Sequence, residues 1–391
     1  MRAERFESSE PERVNALTRR RALLLRPVFR RARRVAAQVV AAVLAVIGCQ
    51  PDTGASSGSS LHLSADECGW LAAPPPGDSP EAPCGISFRE VARLEEADSI
   101  TPYPTIGVVN GRYITATYYE GTFAFWAPGG ELLDVAGEGP GEGPGEFHHP
   151  TGFAQVTEDE LLVLTGQPTL HRYAVTGRFL RSYRLPAVGV TGSVVTYGDL
   201  AIIGAQTFVG EQAFALQHDS IRPFGVPARL GSSLLLAAAD QAGVWSVEHD
   251  RYVLRRHSLP GGSVADSLVV ARDWFPDPGG YDAQIDWFHA DGRGLLWTVV
   301  RAADSDAPGW CDDIYSDHQP LVLDDIEAYR ARMIGCDDAV VEALTTDGRL
   351  IGSVRFDAVW DQPIPLHGNL WFLPSEDMLY IVILEAVLTE R

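Results

Sequence analysis

Five cysteines, at positions 49, 68, 84, 311 and 336, are the residues whose number asks for a chemical explanation. An odd count leaves one thiol outside any set of intramolecular disulfides. None of the five has the Cys-x2-Cys spacing of a zinc site. All 31 basic residues are Arg, and the absence of Lys excludes Schiff-base and Lys-nucleophile chemistry. No strand-to-helix nucleophile elbow, no His-Glu-x-x-His and no EF-hand ladder of acids is found. His148 and His149 form the most suggestive adjacent pair, but neighbours on a strand point to opposite faces and do not readily ligate one metal, so a structural or surface role is expected. From Asp304 to Asp338 ten acids face only Arg330 and Arg332, a local charge of −8, with Trp310, Tyr315 and Tyr329 among them. Aromatics supply contact area and carboxylates supply specificity, which makes this run a candidate surface for a cationic or glycan partner.

The elements that must position these residues begin with the N-terminal segment. Residues 1–34 hold eleven Arg against four Glu, and residues 35–48 follow as an apolar run broken only by Gln38. Fourteen residues are too few to span a bilayer, which takes roughly 20, and a basic flank before a short apolar core is the pattern of a secretory signal. The run ends Val46-Ile47-Gly48-Cys49, which resembles the lipobox of bacterial lipoproteins, with Ile47 where Ala or Ser is usual. The resemblance implies a signal peptide over residues 1–48, acylation of Cys49, and an exported domain anchored to a bacterial membrane at the cell envelope. The Gly-Ser stretch over residues 54–60 suits a flexible tether, placed here in a segment from 49 to 86. With Cys49 assigned, four cysteines remain, as an oxidising compartment favours. Three pairings are open; the shortest loops join Cys68 to Cys84 and Cys311 to Cys336, each at about 3 kcal/mol in a chain-entropy estimate.

From residue 87 onward the chain reads as short strands between Gly, Asp-Gly, Asn-Gly and Pro-Gly punctuation, as in 105–109, 112–117, 122–126 and 131–135. Asn110-Gly111 predicts a type I′ hairpin, which needs positive φ at both central residues. Only 324–333 reads as helix, started by Asp324-Asp325 at the positive end of its dipole. Three segments, 125–133, 173–180 and 344–351, align without gaps as an apolar strand end, a Gly turn, a charge or polar residue and two apolar residues, with weaker copies near 219 and 262. The markers at 130, 177, about 219, 262 and 348 repeat in the forties, with the last step doubled by an insertion over 303–339. About four strands per unit of this period predict an all-β, six-bladed β-propeller over 87–391, interrupted in blade five by a helical, disulfide-bracketed insertion. The isolated strand 87–94 is expected to pair with the C-terminal strands and close the ring, which removes two exposed edges.

The segment Gly137-Glu138-Gly139-Pro140-Gly141-Glu142-Gly143-Pro144-Gly145-Glu146-Phe147-His148-His149-Pro150 resembles the Gly-Pro-Gly-Glu-Phe motif of six-bladed, NHL-like propeller lipoproteins of envelope-rich bacteria, with the Gly-Pro-Gly-Glu unit doubled. The resemblance implies fold and envelope location more than an activity. Read from its residues, each Pro-Gly is a type II turn pair and Phe147 plugs the groove between two blades. As a phosphate cradle the segment is poor, because its Glu residues repel an anion. Asp199, Asp240, Asp286, Asp291 and Asn369, near strand starts, are candidates to converge on the central channel and bind calcium, as in the lactonase-like propellers that the fold resembles. Trp126, Trp245, Trp287, Trp297 and Trp371 are expected to fill the core. Residues 49–391 hold 20 Arg against 48 acids, net −28, which excludes a basic footprint for nucleic acid. The expected protein is a monomeric binding or scaffold module without an enzymatic activity; the second reading is a metal-dependent hydrolase with its site in the channel. Cys49→Ser is expected to block acylation and move the protein from the membrane to the soluble fraction; continued acylation of the variant would refute the assignment.

Overall fold

The structure, a computed structural model, describes residues 68, 82–117, 121–148, 150–228, 234–238, 243–275, 283–291, 293–304, 336–357, 362–375 and 379–390. Cys49, His149, Asp240, Trp310, Cys311, Tyr315, Tyr329, the leader 1–48 and the predicted helix 324–333 lie outside the described residues.

The chain opens with β1 (Cys84–Glu95) and then builds four-stranded antiparallel sheets in order of sequence. Blade 1 is β2 (Pro102–Val109), β3 (Arg112–Thr117), β4 (Phe123–Trp126) and β5 (Leu132–Ala136). Blade 2 is β6 (Pro150–Thr157), β7 (Glu160–Thr165), β8 (Thr169–Ala174) and β9 (Phe179–Arg184). Blade 3 is β10 (Gly189–Tyr197), β11 (Leu200–Thr207), β12 (Gly210–Gln217) and β13 (Ser220–Phe224). Blade 4 is β14 (Leu234–Ala238), β15 (Val244–Glu248), β16 (Val253–His257) and β17 (Val264–Val269). Blade 5 is β18 (Ala283–Ala290), β19 (Leu295–Ala303), β20 (Asp337–Thr345) and β21 (Leu350–Phe356), and the interruption between β19 and β20 covers residues 304 to 336. Blade 6 is β22 (Ile364–His367), β23 (Leu370–Pro374) and β24 (Tyr380–Glu390), completed by β1 as its outer strand. The first strand of each blade neighbours that of the next, and β22 returns to β2, so the molecule is a closed six-bladed β-propeller.

The core is divided into six apolar clusters, one in each seam between adjacent blades. Successive residues on a strand serve opposite seams. Leu161 and Val163 pack towards blade 1, while Leu162 and Leu164 pack towards blade 3. Because both faces of a blade are covered, its middle strands read as unbroken apolar runs rather than as alternating ones. The innermost strands of five blades carry a bulge or irregularity in their pairing, at Tyr103/Ile106, Pro150/Gly152, Val190/Val194, Ile285/Trp287 and Pro365/His367. A bulge bends and twists a strand, as the wall of a narrow channel requires. It also accounts for a correction. Trp126, Trp245, Trp297 and Trp371 are buried as expected, but Trp287, at the irregularity in β18, is 40% exposed.

The predicted closing strand pairs with β24 from Cys84 opposite Glu390 to Glu95 opposite Tyr380. Behind it, the Trp371 ring meets Phe88 at 5.3 Å and Trp297 at 5.5 Å between centroids. The expected Cys68–Cys84 disulfide is present, with Cα atoms 6.1 Å apart, and ties the residues before the ring to the first position of β1. Cys336 is buried and disulfide-bonded, with its partner outside the described residues.

The sequence repeat coincides with the hairpin between the third and fourth strands of a blade. Each marker glycine abuts the outer strand of the preceding blade. A Cβ at Gly130 would lie 2.1 Å from the Arg93 carbonyl oxygen, one at Gly177 2.6 Å from the Ala136 Cβ, and one at Gly348 2.8 Å from Leu268. In blade 3, His218 and Asp219 take the positive φ instead, and Asp219 accepts from the Tyr183 hydroxyl at 2.6 Å and pairs with Arg181 at 2.5 Å, both on β9. The hairpin at Asn110-Gly111 has positive φ at both residues, and nothing lies near a Cβ at Gly111. Gly111→Ala should therefore cost only backbone strain, about 1 kcal/mol. Gly177→Ala adds a steric collision and should cost roughly 2 to 4 kcal/mol in urea unfolding; equal losses for the two variants would show that the repeat is not a seat between blades.

Candidate functional site

The Gly-Pro-Gly-Glu segment crosses from blade 1 to blade 2 and is held from both. Gly121 N donates to the His148 carbonyl at 3.3 Å and Gly139 N to the Gly121 carbonyl at 3.3 Å. The buried Tyr173 hydroxyl donates to the Gly145 carbonyl at 2.7 Å, and burial pushes that phenol's pKa well up, so it remains a donor. Phe147 is buried in the seam between blades 1 and 2, its ring stacked 6.3 Å from Phe123, as a groove plug should be. The turn expectation holds at Pro144-Gly145, where Gly145 has φ 81°, and needs correction at Pro140-Gly141, because Gly141 stays outside the left-handed region. Its contribution is space. A Cβ on Gly141 would lie 2.1 Å from Glu146 Oε2, and the same carboxylate oxygen accepts from Gly143 N at 2.9 Å. The glycines thus let Glu146 fold back and cap its own loop, while Glu142 remains exposed.

This loop forms one wall of a cleft of about 760 Å3 over blade 2. The floor and opposite wall come from the turn between β7 and β8, with Thr165, Gln167 and Thr169, and from β8 and β9, with His171, Phe179, Arg181, Ser182 and Arg184. His148 lines the cleft and is exposed. Ser182 Oγ lies 3.1 Å from His171 Nδ1, and burial lowers the His171 pKa, so the imidazole is neutral and a weak base at neutral pH. No carboxylate among the described residues bonds His171, so the pair lacks the orienting third member of a hydrolytic triad. The Ser246–His257 pair, at 2.7 Å, is buried within blade 4.

The channel-centred metal site does not form among the described residues. No three His, Cys, Asp or Glu side chains there lie close enough to hold an ion. Asp199, Asp291 and Asn369 sit in the turns between first and second strands of three different blades, where each is bonded locally. Asp199 accepts from Gln217 at 3.1 Å and pairs with His218 at 2.8 Å. Asp291 accepts from Leu295 N and Trp297 Nε1, both at 3.0 Å, and pairs with Arg293. Asn369 donates to Glu385 at 2.9 Å. Asp286 lies in β18 and pairs with Arg301 at 3.2 Å. These residues form turns and ion pairs, and the ring spreads them apart. The acidic insertion springs from the turn position between second and third strands of blade 5, its ends joined by Asp304 N donating to the Cys336 carbonyl at 2.9 Å.

Sequence reading found the loop wall of the cleft and missed the strands facing it. Their signal is a polar break in an otherwise apolar blade: His171-Arg172 in β8 and Arg181-Ser182 in β9. In blade 3, the tip between β11 and β12 presents Phe208 at 91% and Val209 at 75% exposure.

Fold and geometry define the class as a six-bladed propeller closed by its N-terminal strand, with a polar cleft over one blade. The sequence matches no protein-family model and no curated protein. Solved structures similar to it include virginiamycin B lyase from Staphylococcus aureus, at 12% identity and TM-score 0.46 over 77% of this chain and 99% of that one. A member of the DUF4221 family from Bacteroides vulgatus gives 10% identity and TM-score 0.49 over 78% and 99%. A protein from Bacteroides fragilis described as exported gives 10% and 0.48 over 78% and 95%.

The Tyr173 bond to Gly145 supports the cleft wall from beneath. Tyr173→Phe should cost about 1 kcal/mol in thermal unfolding and increase amide exchange at Glu146 and Phe147, because a buried carbonyl loses its donor; unchanged exchange would mean that the loop is held by other contacts.

Proposed function

We propose that the protein is an exported, lipid-anchored propeller of the NHL-like kind that binds a polar ligand at the cell envelope without transforming it, and that the cleft over blade 2 is its binding seat. The observation that carries this reading is the construction of the cleft. A capped loop braced by two blades faces a wall of hydroxyl, amide and guanidinium groups, and the pocket has the size of a small-ligand site. Its one Ser–His pair has no orienting acid among the described residues and a His of lowered basicity, which favours recognition over hydrolysis. Acylation of Cys49 and the Gly-Ser tether would hold the ring near a membrane. The Cys68–Cys84 disulfide fixes the chain before the ring to the first residue of β1, which pairs with Gly352 of blade 5.

The test is a panel of neutral and acidic oligosaccharides presented to the full chain in detergent, with binding read by ligand-observed NMR and integrity by mass spectrometry. The expected result is binding that leaves the ligand mass unchanged and is lost in Thr169→Trp, which fills the cleft. Product formation, binding that persists in that variant, or failure of the whole panel would overturn the reading.

A further inference from the structure

We infer that the ligand of this cleft is an acidic sugar, a hydroxyl-rich ring bearing a carboxylate of the uronic-acid type, recognised through Arg184. The inference rests on the cleft being the binding seat and goes further by fixing the ligand's charge and class.

In residues 49–391, 48 acids face 20 Arg, so a cation left without a partner is unexpected. Arg172 pairs with Glu160 at 3.0 Å, Arg272 with Glu342 at 2.7 Å and Arg293 with Asp291 at 2.9 Å, and Arg355 pairs with Asp338. Arg184 ends β9 in the wall of the cleft and is exposed, and its side chain makes no hydrogen bond or ion pair among the described residues. Arg181, three positions earlier in β9 and so of opposite strand parity, is held by Asp219 of blade 3 through Nη1. A planar guanidinium fork fits a carboxylate with two parallel hydrogen bonds.

The acids of the loop do not cancel this. Glu146 is turned into its own loop by the Gly143 amide, and Glu142, at the exposed rim, is an acceptor for a ligand hydroxyl. Gln167 and Thr169 bring an amide and a hydroxyl to the floor, the buried Thr165 hydroxyl being spent on the Thr169 carbonyl at 3.0 Å, and Phe179, half-buried, offers an apolar patch for the face of a sugar ring. Alternating hydroxyls, one anionic group and a partly apolar ring face together describe a sugar acid.

The experiment is isothermal titration of the detergent-solubilised full chain with a trigalacturonate and with its carboxyl-reduced counterpart, which keeps every other group. The acid should bind about thirtyfold more tightly, the effect of one charge-assisted pair of hydrogen bonds. Arg184→Gln should remove that preference without moving the melting temperature, whereas Arg178→Gln, an exposed arginine outside the cleft, should leave the preference intact. Equal binding of both sugars, lost in Thr169→Trp, would overturn the inference while the binding reading stands. Absence of binding by either would overturn both. A charge preference that survives Arg184→Gln, or one matched by an acidic peptide of equal charge, would overturn the assignment to a sugar carboxylate at Arg184.

Discussion

The ladder between β1 and β24 is the contact on which the rest of the ring depends. Every blade buries both faces against its neighbours, so none can be left at an open end without exposing a seam of core. One strand must therefore serve the two seams on either side of blade 6, and β1 does so through a single irregularity. Cys84, Ile86 and Phe88 pack towards blade 5, whereas Ala92 and Leu94 pack towards blade 1, although all five have the same parity in the chain. The register shifts between Glu90 and Ala92, opposite Leu384 and Ile383. One extra residue reverses which face the even positions occupy. On β24 no such shift occurs, and there the two seams are served by alternate residues, Leu384 and Ala386 against Ile381 and Ile383. Closure is thus a matter of side-chain phase as well as of hydrogen bonding.

Much of this was legible in the sequence because the repeat reports a local steric demand. A turn of fixed length whose glycine must clear the preceding blade leaves a mark at the same place in each unit, and the markers at 130, 177, 262 and 348 are those places. The copy at 219 is weak for a physical reason: blade 3 replaces clearance by the ion pair of Asp219 with Arg181 and the hydrogen bond Asp219 accepts from Tyr183. Paired burial made the blades readable as apolar runs, and the same property hid the exceptions. Trp287 lies between the apolar Ile285 and Phe288 in sequence, and its exposure coincides with the irregularity in β18.

The candidate site was half legible for a related reason. Its loop wall is continuous in sequence and rich in Gly and Pro, so it stood out as a motif. Its other wall is assembled from residues on two strands and a turn, each interrupting an apolar pattern by only one or two positions. Among the described residues the acids near strand starts do not converge, because the ring spaces equivalent turns of successive blades around a circle, and each described turn acid is bonded within its own blade, as Asp291 is by Leu295 N and Trp297 Nε1. Regular spacing in sequence implies separation, not convergence, when the repeats are arranged by rotation.

That geometry also assigns the places where a ligand can be accommodated. The outer hairpins are pressed against the preceding blade, and the first strands and their turns are bonded to the next blade, as Asn110 Nδ2 is to the Glu158 carbonyl at 2.8 Å and His289 Nε2 to the Gly368 carbonyl at 2.8 Å. Burial holds the His289 pKa down to about 4, so this imidazole stays neutral and its bond between blades 5 and 6 persists through the physiological range. Crossings between blades and turns between second and third strands lie at the opposite ends of the strands. The elaborations of this chain fall there: the doubled Gly-Pro-Gly-Glu loop, the Phe208-Val209 tip and the insertion after Ala303. A ring that must close constrains its rim and one face, and the opposite face is where sequence can vary without breaking a seam.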